Sequence, residues 1–280
     1  MPPYAVAIVL FAALLHSLWN GLLKNSGDKR LTTIMITTAA GLIAAVVLPF
    51  LPAPLPASWP FLAASSCTQV VYFALLAAAY HEGDMSHAYP IMRGTAPLIV
   101  ASVSASLIGE TLSKGEWVGI TLICLGVLGL ALRHGQHAMP HRAATLLALA
   151  NAVVIASYTL IDGLGVRRAQ SPAAYTLWIY VLAGAMMLAW TVLRTPTQLR
   201  DYLRGRILVG LATGAGTLTS YGLALWAMTL APVALVAALR ETSIVFATAL
   251  SVFVLKERVT LRRLVATGMI ALGAVALRLA

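Results

Sequence analysis

The sequence predicts an all-α membrane protein with ten transmembrane helices, arranged as two inverted five-helix repeats. Three observations predict it. The 280-residue chain is 60% hydrophobic and only 10% charged, against about 25% charged in a soluble protein. Its apolar residues recur as run after run of near-spanning length, which one soluble core cannot bury. Displaced by 147 positions, the sequence also meets itself: Arg93 falls on Arg240, Thr95 on Thr242, Ser104 on Ser251, Glu110 on Glu257 and Gly126 on Gly273.

The runs lie near 4–23, 31–51, 59–81, 86–108, 115–133, 143–162, 172–193, 207–229, 231–255 and 261–279. Each holds about 20 residues, the length that a helix needs to cross the hydrocarbon layer. Charge or proline breaks them at Lys24 to Arg30, Pro52 to Pro60, His81 to Ser86, Glu110 to Glu116 and Arg133 to Arg142. The later breaks are Arg167 to Pro172, Arg194 to Arg206, Leu230 to Pro232 and Lys256 to Arg263. No loop is long enough to fold as a domain. Ten-residue polar/apolar alternation is missing, which argues against an outer-membrane barrel. No basic region precedes the first run and no small-residue cleavage site follows it, so it reads as a retained span.

Ten runs divide into five plus five, with units at 1–135 and 142–280. Two consecutive odd-numbered halves enter a bilayer in opposite directions, so the repeat is inverted. Inverted repeats are a transporter signature, with the binding site near the midplane where the repeats meet. The first run of each half matches more loosely, His16 with Tyr158 and Asn20-Gly21 with Asp162-Gly163.

Charge narrows the function classes. The net charge of +10 is spread over short loops. No basic domain exists to bind nucleic acid, and anchoring at anionic lipid is the better reading. The loops after runs 1, 5, 7 and 9 hold thirteen Lys and Arg, while the opposite face holds four. The positive-inside rule then places both termini outside the cytoplasm. Cys67 and Cys124 both fall inside apolar runs and read as buried reduced thiols.

The turn residues carry a family resemblance that spans essentially the whole chain. Gly109-Glu110-Thr111-Leu112-Ser113 with Trp117-Val118-Gly119, and their counterpart Lys256-Glu257-Arg258-Val259-Thr260, resemble the glutamate-containing turns that close the fourth helix of EamA-like repeats. The chain thus resembles the ten-helix, two-repeat members of the drug/metabolite transporter superfamily. The resemblance implies a multi-pass carrier of the cell inner membrane, often an exporter of amino acids, metabolites or toxic compounds, and not an enzyme. It also implies cytoplasmic termini, opposite to the charge count. In the ninth run such proteins commonly place a lone glutamate before a proline, where this chain has Arg240-Glu241-Thr242-Ser243. Substrate class does not carry over.

Arg93 and Arg240 are the strongest functional signal. A charge deep in a span costs roughly 2.5–3.5 kcal/mol on insertion scales, so it faces protein or water. Two planar guanidinium forks suit a carboxylate or phosphonate; the alternative is that each arginine ties helices through buried carbonyls. Tyr89-Pro90 sets a proline one turn before Arg93, and broken backbone at this depth is tolerated where it lines a cavity. Glu241 projects about 100° away from Arg240. It is expected to neutralise Arg93 across the repeat interface or to carry a coupling proton, as is His16.

Polar stripes supply the remaining candidate substrate contacts. They are Trp19 and Asn20 in run 1, Gln69 and Tyr72 in run 3 with Ser65, Tyr158 in run 6 with Asn151 and Asp162, Thr217 and Tyr221 in run 8 with Thr213, and Ser243 in run 9. Tyr89 joins them from run 4. Such stripes line hydrated cavities and equally serve as interhelical glue worth about 0.6 kcal/mol. The expected cavity is formed by runs 1, 3, 4, 6, 8 and 9.

No cofactor or metal is expected. His81, Glu82, Asp84 and His87 share a short loop where Asp84 or Ser86 can cap the next helix. His134, His137 and His141 fall in the central linker. Gly126, Gly129, Gly268 and Gly273 permit close helix packing, leaving monomer and homodimer open. The expected partners are the bilayer, a small-molecule substrate and protons. The rival readings are an exporter of cationic or aromatic drugs, an intramembrane enzyme acting on a lipid, and a passive channel.

Overall fold

The computed structural model describes residues 1–22, 28–131, 142–194, 202–254, 256 and 259–280. His134, His137 and His141 of the central linker, and Glu257 and Arg258 of the second glutamate turn, lie outside the described residues. The helices are α1 (Pro3–Leu22), α2 (Lys29–Val47), α3 (Trp59–Glu82), α4 (Met85–Leu107), α5 (Lys114–Gly129), α6 (Arg142–Arg168), α7 (Pro172–Arg194), α8 (Ile207–Met228), α9 (Val233–Leu239), α10 (Ser243–Phe253) and α11 (Leu261–Leu279). No strand occurs among the described residues.

Each of the ten apolar runs coincides with helix, and seven helical stretches are long and apolar enough to cross a membrane. These are α1, Leu31–Phe50, Pro56–Glu82, α6, Pro172–Leu193, α8 and Val233–Phe253. Helices α4, α5 and α11 are outside that set. α4 carries Arg93 and two internal prolines, α5 has 16 residues, and α11 carries Arg262, Arg263 and Arg278. A multi-pass helical membrane protein follows.

Proline does not break α4 as expected. The helix continues through Pro90 and Pro97 from Met85 to Leu107. The interruption falls instead in the ninth run, where Arg240–Thr242 forms a 3₁₀ turn between α9 and α10. A tight turn inside a spanning run often marks a functional hinge.

Three helix starts that bear on the site carry side-chain caps. Asp84 accepts the Ser86 amide at 2.8 Å and caps α4. Ser113 and Glu116 form a reciprocal capping box on α5, and Thr260, the counterpart of Ser113 in the 147-residue displacement, caps α11. The two caps satisfy amides that have no partner within their own helices.

Packing exchanges partners between the halves. α3 packs on α6 and α1 on α8; α2 faces α7 and α5 faces α11. Glycine sets two of these crossings. Gly41 and Gly184 bring α2 against α7, while Gly119, Gly126 and Gly273 bring α5 against α11. Gly126 and Gly273 are therefore used within the chain, whereas Gly129 and Gly268 face open space.

One hydrophobic core gathers toward a single end of the bundle. It holds Ala5 and Val9 of α1, Leu62 of α3, Val100 of α4, Val166 of α6 and Val233 to Leu239 of α9. These lie toward the starts of α1 and α3, toward the ends of α4 and α6, and along all of α9; Cys124 is buried in this core as expected, whereas Cys67 on α3 is exposed.

A Cβ at position 273 would meet the Gly119 carbonyl oxygen at 2.7 Å and the Ile123 nitrogen at 2.9 Å, and backbone cannot rotate away. Gly273→Ala is expected to cost about 1–3 kcal/mol. Gly268→Ala, on the same helix but in open space, should cost nothing. Thermal unfolding of the purified protein in detergent distinguishes them; equal behaviour would refute the crossing.

Candidate functional site: a blind-ended cavity between the two halves

At the other end of the bundle the core gives way to a cavity of about 750 Å³. Its mouth lies at Thr32 and Thr33 near the start of α2, Tyr80 near the end of α3, and Met85 and Ser86 at the start of α4. Its inner wall holds Arg93, Tyr158, Tyr221 and Arg240. It therefore runs from one end of the bundle toward the hydrophobic core.

The two arginines differ in state. Arg93 from α4 and Glu241 from the 3₁₀ turn form a two-pronged ion pair. The Arg93 Nε donates to Glu241 Oε2 at 3.0 Å and Nη2 meets Oε1 at 2.9 Å. The pair joins residues 148 apart in sequence and is nearly out of solvent, with side-chain exposures of 14% and 4%. Burial of that kind is tolerated because both charges are matched and the fork geometry is good. Arg240 makes no ion pair among the described residues. Its guanidinium lies 5.0 Å from the centre of the Tyr221 ring, within cation–π range. The turn explains the split: consecutive side chains point in different directions, so Glu241 faces Arg93 and Arg240 faces the cavity.

The walls are aromatic and hydroxyl-bearing. His16 packs edge-on to Trp19 with ring centres 5.1 Å apart, and Tyr72 edge-on to Tyr158 at 5.9 Å. The Trp19 indole N–H is buried with no hydrogen-bond partner among the described residues. Asn20 turns its amide N–H onto the His16 carbonyl, and the Tyr180 hydroxyl donates to the Thr217 carbonyl at 3.3 Å.

Among the residues singled out from sequence, the structure brings His16, Trp19, Asn20, Gln69, Tyr72, Tyr89, Arg93, Tyr158, Thr217, Tyr221 and Arg240 into this one cavity. Ser243 is not there: it is buried at the start of α10, past the turn that aims Arg240 inward. Glu241 is outside the main cavity as well, behind Arg93. It lines a second void of about 20 Å³ with Arg93, Tyr158 and Arg240, room for about one water.

Sequence reasoning missed the contribution of two helices. α2 supplies Thr32, Thr33 and Thr37, and α7 supplies Tyr180. The threonines at helical spacing in an otherwise apolar run were the available signal. Asp162, read only as a member of a stripe, is fully buried and accepts hydrogen bonds from the hydroxyls of both Tyr175 and Tyr221. Asn151 and Ser65 are also buried, and Thr213 bonds its own helix backbone. In the histidine loop, His87 binds Thr145 Oγ1 at 3.0 Å and so ties α4 to α6.

The blind end is tied by charge. Glu110, just past the end of α4, accepts the Val233 amide through both oxygens at 3.1 and 2.9 Å. Arg167 at the end of α6 meets Glu110 at 2.6 Å and also donates to the carbonyls of Met228 and Ala231. Gly109 turns the chain there with φ at +78°, a conformation that favours glycine. Lys256, its counterpart in the repeat, also has positive φ, +52°.

Removing one partner of the buried pair leaves an uncompensated charge. Arg93→Ala is expected to destabilise the protein by about 3–5 kcal/mol. Arg93→Ala/Glu241→Ala should cost clearly less than the two single changes added together. Thermal unfolding of the four proteins reads the coupling; additive losses would contradict a direct pair.

Comparison with known proteins agrees with this architecture. Residues 3–132 and 142–279 each match the family model described as the EamA-like transporter family. No curated protein matches the chain. A solved crystal structure, described only as that of a protein, is similar over 100% of this chain and 99% of its own, with 20% identity and a TM-score of 0.79, a likeness of fold alone. Two family matches that together cover nearly all of the sequence place the chain in the EamA-like transporter family.

Proposed function

We propose that this protein is a secondary active transporter that exports a small metabolite with an anionic group, such as an amino acid, organic acid or phosphonate. In this reading the chain crosses the cell inner membrane ten times as two inverted units, 1–135 and 142–280. The exchanged packing partners and the equivalent caps at Ser113 and Thr260 support that symmetry. The units work by alternating access, rocking about the shared cavity. The open mouth and the Glu110–Arg167 tie at the opposite end support a one-sided state of such a cycle.

The observation that carries the substrate reading is the unequal pairing of the two arginines. Glu241 matches Arg93, so Arg240 is the guanidinium left to meet an anion at the cavity's inner end. The orphan Trp19 N–H adds a hydrogen-bond donor in the same wall. The aromatic lining also suits a cationic aromatic drug through ring stacking, but Arg240 would oppose its charge. Proton coupling through Glu241 or His16 completes the proposal. Glu241 can take a proton only by giving up Arg93, which would release a second guanidinium into the site.

Flux in proteoliposomes tests it. Vesicles containing the purified protein are loaded with amino acids, organic acids or phosphonates, with and without a proton gradient. Wild type should carry at least one anion class, faster with the gradient. Arg240→Ala should lower that flux about tenfold to a hundredfold, the worth of one charge-assisted hydrogen bond. Full flux in Arg240→Ala would refute the assigned role.

A further inference from the structure

Asp162 has no part in the reading above, yet its surroundings are unusual for a carboxylate. It lies inside α6, fully buried, one turn past the cavity-lining Tyr158. No cation pairs with it within ion-pair distance among the described residues. Each of its oxygens instead receives a tyrosine hydroxyl: Oδ1 from Tyr175 of α7 at 3.2 Å, and Oδ2 from Tyr221 of α8. Tyr221 is not buried behind a wall. It lines the cavity, and the Arg240 guanidinium rests on its ring. Arg240, Tyr221 and Asp162 thus form a continuous chain of contacts from the proposed anion site to a carboxylate held out of solvent.

We propose that Asp162 is a proton-binding site that exchanges with cavity water through the Tyr221 hydroxyl and responds to what occupies Arg240. The step balances simply. Tyr221 passes its proton to Asp162 and takes one from water, so one proton leaves solution and one carboxylate becomes an acid. An anion that draws Arg240 off the Tyr221 ring changes the field on that hydroxyl and on the carboxylate behind it. Ligand and proton then bias each other's binding, as linkage requires. A structural role alone explains the tyrosine bonds but predicts no exchangeable proton.

The groups that face Asp162 are Tyr158 on its own helix, Tyr175 and Tyr180 on α7, Tyr221 on α8, Ser65 on α3 and Arg240. Arg240 is the only one with a full charge. The inference rests on the transport reading for its purpose, but its test does not.

The test is infrared difference spectroscopy of the purified full-length protein while pH is cycled. The protein carries ¹³C-labelled aspartate, so that a protonated aspartic acid shows an isotope-shifted carbonyl stretch. The other aspartates are Asp28 and Asp84, at exposed helix starts, and Asp201, which lies outside the described residues. The expected result is a reversible, isotope-shifted acid band that is lost in Asp162→Asn and kept in Glu241→Gln. Tyr221→Phe and Arg240→Gln should each move its midpoint by about one pH unit or more, since each removes an interaction with the charged form. If Asp162→Asn fails to fold, isotope assignment in wild type with these two variants still decides. No such band, or a band that neither variant moves, overturns the proposal. A titrating Asp162 in a protein that carries no anion would retire the transport reading and leave the site standing; anion flux without the band would do the reverse.

Discussion

The buried pair between Arg93 and Glu241 is the interaction on which the rest of the structure depends. It links the fourth helix of one half to the broken span of the other, and it lies where an unmatched charge would be costly. Its two-pronged geometry makes the burial tolerable. It also decides the character of the cavity. One guanidinium is spent on structure, and the next residue after α9, Arg240, is turned toward the open space.

The fold surrounds that pair with opposite solutions at its two ends. On one side, hydroxyl and aromatic side chains line the open cavity. On the other, small apolar residues of α1, α3, α4, α6 and α9 close on each other, and Glu110 fastens the start of α9 while Arg167 holds its approach. The left-handed Gly109 aims that glutamate across the boundary between the halves. Charge is thus used twice, once to define the cavity's inner end and once to tie its closed end. Both ties cross from one repeat unit to the other, so relative movement of the units would have to strain or exchange them.

Much of this was legible in sequence because the repeat and the cost of buried charge both leave plain marks. The 147-residue displacement picked out Arg93, Arg240 and Glu110 without any geometry. Helical spacing placed Gln69 with Tyr72 and Thr217 with Tyr221, and all four line the cavity. The failures are equally physical. Ser243 was read as a substrate contact from run 9, but the 3₁₀ turn between it and α9 changes the direction of side chains at that point and leaves it buried. Pro90 was expected to break α4, yet the helix absorbs it and the break occurs where no proline stands. The threonines of α2 and Tyr180 of α7 were missed because their position depends on packing between the halves. Asp162 was seen as one more polar residue in a stripe; only the structure places two tyrosine hydroxyls on it.

The central claim is that the cavity offers one guanidinium, Arg240, to an anion. Thermal stabilisation by a matched pair of small aromatic ions, benzoate and benzylamine, tests it most directly, since a ligand that binds the folded state stabilises it by mass action. The account predicts that benzoate raises the unfolding temperature of wild type with increasing concentration, that benzylamine does not, and that the benzoate effect disappears in Arg240→Ala. Stabilisation by benzylamine instead, or equal stabilisation of wild type and Arg240→Ala by benzoate, would contradict it.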